Sequence, residues 1–216
     1  IRNGTPHDDA PQAEVDASFG ISVDAALPAS TFQQHFLILH LLQPQAVLYS
    51  MSMVVEWAGL LSQSFVRAAL QLLARRHAVL RTYYAISQED ALQIILPADG
   101  FIIPLEACAD AVWTAKLAQT VGTPFALTDA PPIRALLTSS PERTRLLIVV
   151  DHVAADHASN LVIQREVRLT CDALQRGVPP ALPPVPLQYA DFSVWQQRHG
   201  SIDDAAMLEW WRPKLK

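Results

Sequence analysis

Polar and apolar positions change their rhythm several times along this chain, and each change marks an element. "LLIVV" (146–150) is an unbroken apolar run that reads as a strand. Beyond the polar stretch after it, Ile163, Val167, Cys171 and Leu174 recur at helical spacing from Ser159 until Gly177 stops the pattern. Upstream, "STFQQHFLILHLL" sets Phe32, Phe36 and Leu39 on one helical face, with Ser30 as cap. A second helix follows in "SQSFVRAALQLLARRH". Ser62 is its cap, Phe65, Ala69, Leu72 and Leu73 form its apolar face, and Arg75, Arg76 and His77 suit the negative end of its dipole.

Two hairpins are expected, "VLRTYYAI" and "ALQIIL" around "SQED", then "PIRALLTS" and "TRLLIVV" around "SPER". Between them "DAVWTAKLAQ" reads as a helix that Asp110 caps. The segment "VPPALPPVP" has five prolines in nine residues and must run extended and stiff. It leads to a last helical piece, "YADFSVWQQRH", and to "LEWWRPKLK". Residues 1–20, polar and rich in Gly, Pro and Asp, read as a linker, which leaves 21–216 as one folded unit. Helices interleaved with hairpins predict an α/β (α+β) domain, a mixed sheet flanked by helices.

Composition narrows the function classes. Half of the 216 residues are hydrophobic, enough for a sizeable core. A net charge of −5 and a pI near 5.8 argue against nucleic acid as a partner. The two cysteines, Cys108 and Cys171, have no metal-ligand or disulfide-framework spacing, so neither zinc nor any other metal is expected and a reducing cytoplasm fits. No apolar run approaches the ~20 residues of a membrane span, and the first twenty residues lack the apolar core of a secretion signal. A first residue other than Met suggests a module cut from something longer.

The candidate chemistry lies where the last strand delivers Asp151 and His152, with Asp156 and His157 five residues further on. A histidine held between a strand and a helix has the fixed position that proton transfer or transition-state stabilisation demands. If the strand persists, His152 shares the face of Val150 and Asp151 points the other way. Asp156 lies one helical turn on, suited either to pairing with an arginine or to capping the next helix. Both uses are structural, since a carboxylate so engaged loses basicity. The blander alternatives are a core or capping histidine at 152, a turn residue at 151 and a surface helix starter at 157.

Several stretches taken in order add more than any one of them: "RHAVLRT" (76–82), "PFALTDAPPIRALL" (124–137), "DHVAADHAS" (151–159), "QYADFSVWQ" (188–196) and "WWRPKL" (210–215). This series resembles the N-terminal lobe of condensation domains of nonribosomal peptide synthetases, which read RHxxLRT, PFxLxxxPLxR, HHxxxDG and QYxDYxxWQ in that order. The resemblance implies a chloramphenicol acetyltransferase-like lobe, a tunnel between two such lobes, and an acceptor amine attacking a donor thioester to form an amide. It implies carrier proteins as partners, each presenting its group on a phosphopantetheine arm, with no cofactor bound by the chain itself. It further implies neighbouring synthetase domains and a second lobe, in cis or in trans, since that lobe is absent from these residues. On this chain the second motif histidine is His152. The motif aspartate is Asp156, for which the resemblance implies an arginine partner, Arg76 or Arg81.

Two motif positions differ: Asp151 stands at the first histidine and His157 at the glycine. A side chain at 157 would obstruct a left-handed backbone or a close substrate approach. The candidate set is thus His152, Asp156 and Asp151, supported by Arg76, Arg81, His157 and Ser159. Asp151, Asp156 and Ser159 also satisfy DxxxxDxxS, the signature of heterocyclization domains, and a degenerate lobe kept for docking carriers or domains is a third reading. Trp195, Trp210 and Trp211 are expected to be packing anchors.

Overall fold

The central strand explains the architecture. In the computed structural model, which describes residues 24–87, 90–199 and 204–215, the apolar run 146–150 lies in the strand Arg143–Asp151, and all of Leu146 to Val150 are buried. A strand apolar at every position needs cover on both faces, and it has it. Leu146, Ile148 and Val150 enter one hydrophobic cluster, and Leu147 and Val149 enter another.

The elements run β1 Ala25–Pro28, α1 Thr31–Leu42, β2 Ser50–Ala58, α2 Gln63–Arg76, a 3-10 turn Ala78–Arg81, β3 Thr82–Ile86, β4 Ala91–Ile95 and β5 Leu105–Ala107. A second 3-10 turn, Asp110–Val112, leads into α3 Trp113–Val121, followed by β6 Ile133–Ser139, β7 Arg143–Asp151, α4 His157–Gln175, α5 Tyr189–His199 and α6 Asp204–Trp211. One sheet has the order β2-β7-β6-β5, antiparallel except for the parallel pair β5–β6. The other is antiparallel, β1-β4-β3. Against one face of the larger sheet lie Val66, Leu70 and Leu73 of α2 with Ile163, Val167 and Cys171 of α4. Against the other lie Phe36 and Leu37 of α1, Trp113, Phe125, and Tyr84 of the smaller sheet. The expected mixed sheet flanked by helices is present, with both hairpins and all five anticipated helical segments, while the putting aside of 1–20 as linker concerns residues outside those described.

Several details differ from the sequence reading. β1, β2 and β5 have no counterpart in it, although β2 alternates cleanly, with Met53, Val55 and Trp57 buried between exposed neighbours. The buried face of α1 is Gln33, Phe36 and Leu37, and Phe32 is 45% exposed. A glutamine can occupy that face because its amide is satisfied: Oε1 accepts from Ser30 N, and Nε2 donates to Tyr84 Oη and Gln93 Oε1. In α2 the buried face is Val66, Ala69, Leu70, Leu73 and Ala74, with Phe65 only half-buried. Asp110 does not cap α3. The 3-10 turn intervenes, and the carboxylate pairs with Arg145 and Arg143 instead. Trp195, Trp210 and Trp211 are not sealed anchors but 57%, 55% and 46% exposed. The proline-rich segment has no regular structure, and it is pinned to the end of α2 by Arg76 Nη2 on Pro183 O and by both ends of the Gln188 amide, on Arg76 O and Ala78 N.

Candidate active site

β7 ends at Asp151, and the chain turns through 152–154 before α4 begins at His157. By strand alternation Asp151 points the way of Val149, towards α1, and only 1% of it is exposed. A buried carboxylate must be paired, and this one is. Oδ1 accepts from Val153 N at 3.0 Å, and Oδ2 lies 2.9 Å from Nε2 of His40 on α1.

Because the strand stops at 151, alternation does not carry on to His152, and the imidazole does not share the face of Val150. The backbone N–H of His152 donates to Tyr49 O at 2.8 Å. Its ring stacks on Phe36, with centroids 4.8 Å apart and planes at 19°, and meets the edge of Phe32 at 5.8 Å. The residue is half-buried, and among the described residues its buried Nδ1 has no hydrogen-bond partner.

Asp156 is the N-cap of α4 and, among the described residues, has no guanidinium partner. Its Oδ1 accepts from Ser159 Oγ at 2.6 Å and from Ser159 N at 2.7 Å. Those two hydrogen bonds hold the carboxyl below the ordinary carboxylate range, with a smaller contribution from the nearby His152. The arginines offered as partners are engaged elsewhere. Arg76 makes a two-pronged contact with Glu166 of α4, Nε–Oε2 3.0 Å and Nη2–Oε1 2.8 Å, and His77 Nε2 lies 2.9 Å from the same Oε2. Arg81 is buried, donates to Leu96 O and reaches Asp24 at 3.4 Å. Of the two uses open to Asp156, capping is the one observed.

His157 is the exposed first residue of α4, and among the described residues only glycines have positive φ. The backbone conformation that a side chain would have strained is therefore not adopted. On the α4 side of the loop lies a cleft of about 210 Å³, lined by His77, Leu80, Ala154, Ser159, Val162 and Ile163 among others. Sequence reasoning placed Asp151, His152, Asp156 and Ser159 together, but it missed Phe36, Tyr49 and His40 as their neighbours, and Glu166 as the partner of Arg76. The i, i+4, i+8 spacing of Phe32, Phe36 and His40 on α1 was the available signal for two of these contacts.

The arrangement can offer one imidazole nitrogen at the mouth of a rigid turn, flanked by a carboxylate fixed in a helix cap. No helix among the described residues is long and apolar enough to cross a membrane.

The family model described as "Condensation domain" matches residues 23–216. A dimodular nonribosomal peptide synthase of Bacillus subtilis is 33% identical over 199 residues, covering 88% of this chain and 8% of that protein. The phosphinothricin tripeptide synthetase PhsB of Streptomyces viridochromogenes is 30% identical over 201 residues, 88% of this chain and 17% of that protein. Among solved structures, the starter condensation domain of the rhizomide synthetase RzmA superposes with a TM-score of 0.77 at 17% identity, over 88% of this chain and 48% of that one. The X-domain from teicoplanin biosynthesis, in complex with OxyB, superposes with a TM-score of 0.75 at 25% identity, over 89% and 44%. The chain spans under half of these solved structures and a small fraction of the curated relatives. With the four motifs in order and the family model spanning nearly the whole sequence, the chain belongs to the condensation-domain family of nonribosomal peptide synthetases.

Proposed function

We propose that the chain is the first lobe of a condensation domain that joins carrier-bound acyl and aminoacyl groups through an amide bond, and that His152 is its catalytic residue. The acceptor amine attacks the donor thioester carbonyl, the tetrahedral intermediate expels the carrier thiol, and the proton lost by the amine ends on the leaving sulfur. His152 Nε2 serves this step by orienting the amine, relaying its proton or stabilising the intermediate. The observation that carries the reading is the fixed ring, held by the main-chain hydrogen bond to Tyr49 and the stack on Phe36, with Nδ1 buried and Nε2 as the nitrogen proposed to act. Asp156 supports the loop and is not the base, since its Oδ1 accepts both hydrogen bonds of the cap from Ser159 and its carboxyl is held low. Carriers with phosphopantetheine arms are the proposed partners, with a second lobe completing the tunnel, in the cytoplasm where such assembly lines work.

In the complete condensation domain with both carriers loaded, His152→Ala should lower the rate of amide formation by about 10²–10⁴. Full activity in that variant overturns the assignment. A docking role is favoured by one observation, the exposed aromatic surface of Phe192, Trp195, Trp210 and Trp211, and the X-domain complex with OxyB is a precedent for a similar fold holding a partner. That reading expects no amide product from loaded carriers. Heterocyclization is disfavoured because the Asp151 carboxylate, first in its signature, is sealed against His40.

A further inference from the structure

We propose that His40 is a positioning residue for His152, acting through Asp151, and that the aspartate at the first motif position and the histidine on α1 form one unit. The inference rests on the reading of His152 above, and it goes beyond that reading by assigning a residue outside every motif. Three side chains of α1, Phe32, Phe36 and His40, are spaced four apart and form one ridge along the helix. Phe32 and Phe36 contact the imidazole of His152, and His40 contacts the carboxylate of Asp151. One helix face thus touches both residues of the Asp151-His152 pair.

Asp151 is the hinge of this unit. Its main-chain N–H donates to Pro132 O, its main-chain oxygen accepts from Ala154 N, and its Oδ1 accepts from Val153 N. These bonds close the turn on which His152 rides. Oδ2 remains, in a residue 1% exposed, and His40 Nε2 is its hydrogen-bond partner. The cation on the adjacent strand, Arg134, cannot substitute, because its guanidinium is spent on the carbonyls of Thr120, Thr123 and Pro124. A carboxylate oxygen accepts, so the proposal places the proton of this contact on His40 Nε2. Without that donor the carboxylate would be half-satisfied in an apolar setting, and it would escape by turning towards water, taking the 151–154 turn and the ring of His152 with it. The ring of His40 also borders an open cleft of about 610 Å³, with Leu37, Leu41, Phe125 and Thr128 among its walls, while the contact itself is shielded by burial, the two side chains being 10% and 1% exposed.

The test is nitrogen-detected histidine NMR on the full chain, beside rate measurements on the complete condensation domain. The native chain should show His40 protonated on Nε2. Asp151→Asn keeps the acceptor for Val153 but turns an amide N–H towards His40, so the His40 proton should move to Nδ1. His40→Met should displace the His152 ring signals and lower kcat about tenfold to a hundredfold with little change in KM. His40→Gln, which still offers a donor, should restore both to near native. Native His40 lacking a proton on Nε2, or His152 signals unmoved in His40→Met, overturns the proposal. If His40→Met does not fold, an unchanged His40 spectrum in Asp151→Asn overturns it alone. Should His152→Ala leave amide formation intact, the functional reading fails, while the ring signals still decide whether His40 positions the turn.

Discussion

Replacing Glu166 by glutamine removes a charge while leaving the shape of the side chain, and the structure allows the cost to be worked out. The carboxylate accepts three hydrogen bonds, two from the guanidinium of Arg76 and one from His77 Nε2, and its side chain is 7% exposed. An amide has one oxygen, so at least one donor of Arg76 or His77 must face the new NH2 group. Hydrogen bonds to charged groups contribute about 1.5–3 kcal/mol each. Arg76 and His77 keep 16% and 20% exposure, enough for water to recover part of the loss. The net expectation for Glu166→Gln is ~2 kcal/mol at pH 7, a fall in Tm of roughly 4–8 °C for a chain of this size. The same contact predicts a pH dependence. Burial by itself would raise the Glu166 carboxyl, but the hydrogen bonds from Arg76 and His77 outweigh it and leave the group below its ordinary value. A carboxyl lowered in the folded state stabilises fully above its unfolded value of about 4.3, and that contribution fades as the pH falls through the folded value. Native chain and variant, unfolded in urea and followed by tryptophan fluorescence, should therefore differ at pH 7 and differ less at pH 3, below the unfolded carboxyl value. Equal differences at both pH values would refute an ionised, hydrogen-bonded Glu166, and no difference at either would refute the contact.

Other consequences are open to direct measurement. Asp156→Ala removes the cap of α4 and should cost about 1 kcal/mol by denaturant titration, whereas Asp156→Asn, which can still cap, should cost a few tenths; equal losses would argue against the cap. Gln93 is 1% exposed and joins three elements, its Nε2 donating to Pro28 O and Ser193 Oγ and its Oε1 accepting from Gln33. Gln93→Leu strands those groups in the core and should cost ~2–3 kcal/mol, so a variant that melts with the native chain would show the network to be dispensable.

Much of this architecture could be read from the sequence, and what escaped has physical reasons. The buried strand β7 and the long helix α4 announce themselves because burial on both faces demands an unbroken apolar run and a single buried face demands helical spacing. β2 went unseen although its alternation is regular, since the serines and methionines of "SMSMVVEWA" are weak strand formers and carry a faint apolar signal. The expected face of α1, Phe32, Phe36 and Leu39, shares only Phe36 with the buried one, because a sequence pattern counts Gln33 as polar, whereas a glutamine with its hydrogen bonds made can lie at the centre of a core. At the site, the spacing identified the turn and His152, and it offered capping as one use of Asp156. It could not find the partners of Arg76 and Arg81. A guanidinium reaches several carboxylates and carbonyls within its length, and only the packing of α2 on α4 makes Glu166 the acceptor of Arg76.

That packing bears on how the turn is held. The residues that reach it come from two sides of the larger sheet: Phe32, Phe36 and His40 from α1 on one, and the start of α4 on the other. α4 is fixed in turn by the contact of Arg76 and His77 with Glu166, nearly three turns along it from Asp156. A change at Glu166 should therefore alter stability more than chemistry, because the cap at Asp156 and the stack on His152 are local. A change at His40 should do the reverse, because its bond ends on the residue adjoining the imidazole. The ratio of lost rate to lost stability in the two variants thus separates what holds the lobe together from what aims its histidine. If the Glu166 variant lost as much rate as the His40 variant for the same loss of stability, the turn would be governed by the lobe as a whole and not by the ridge of α1.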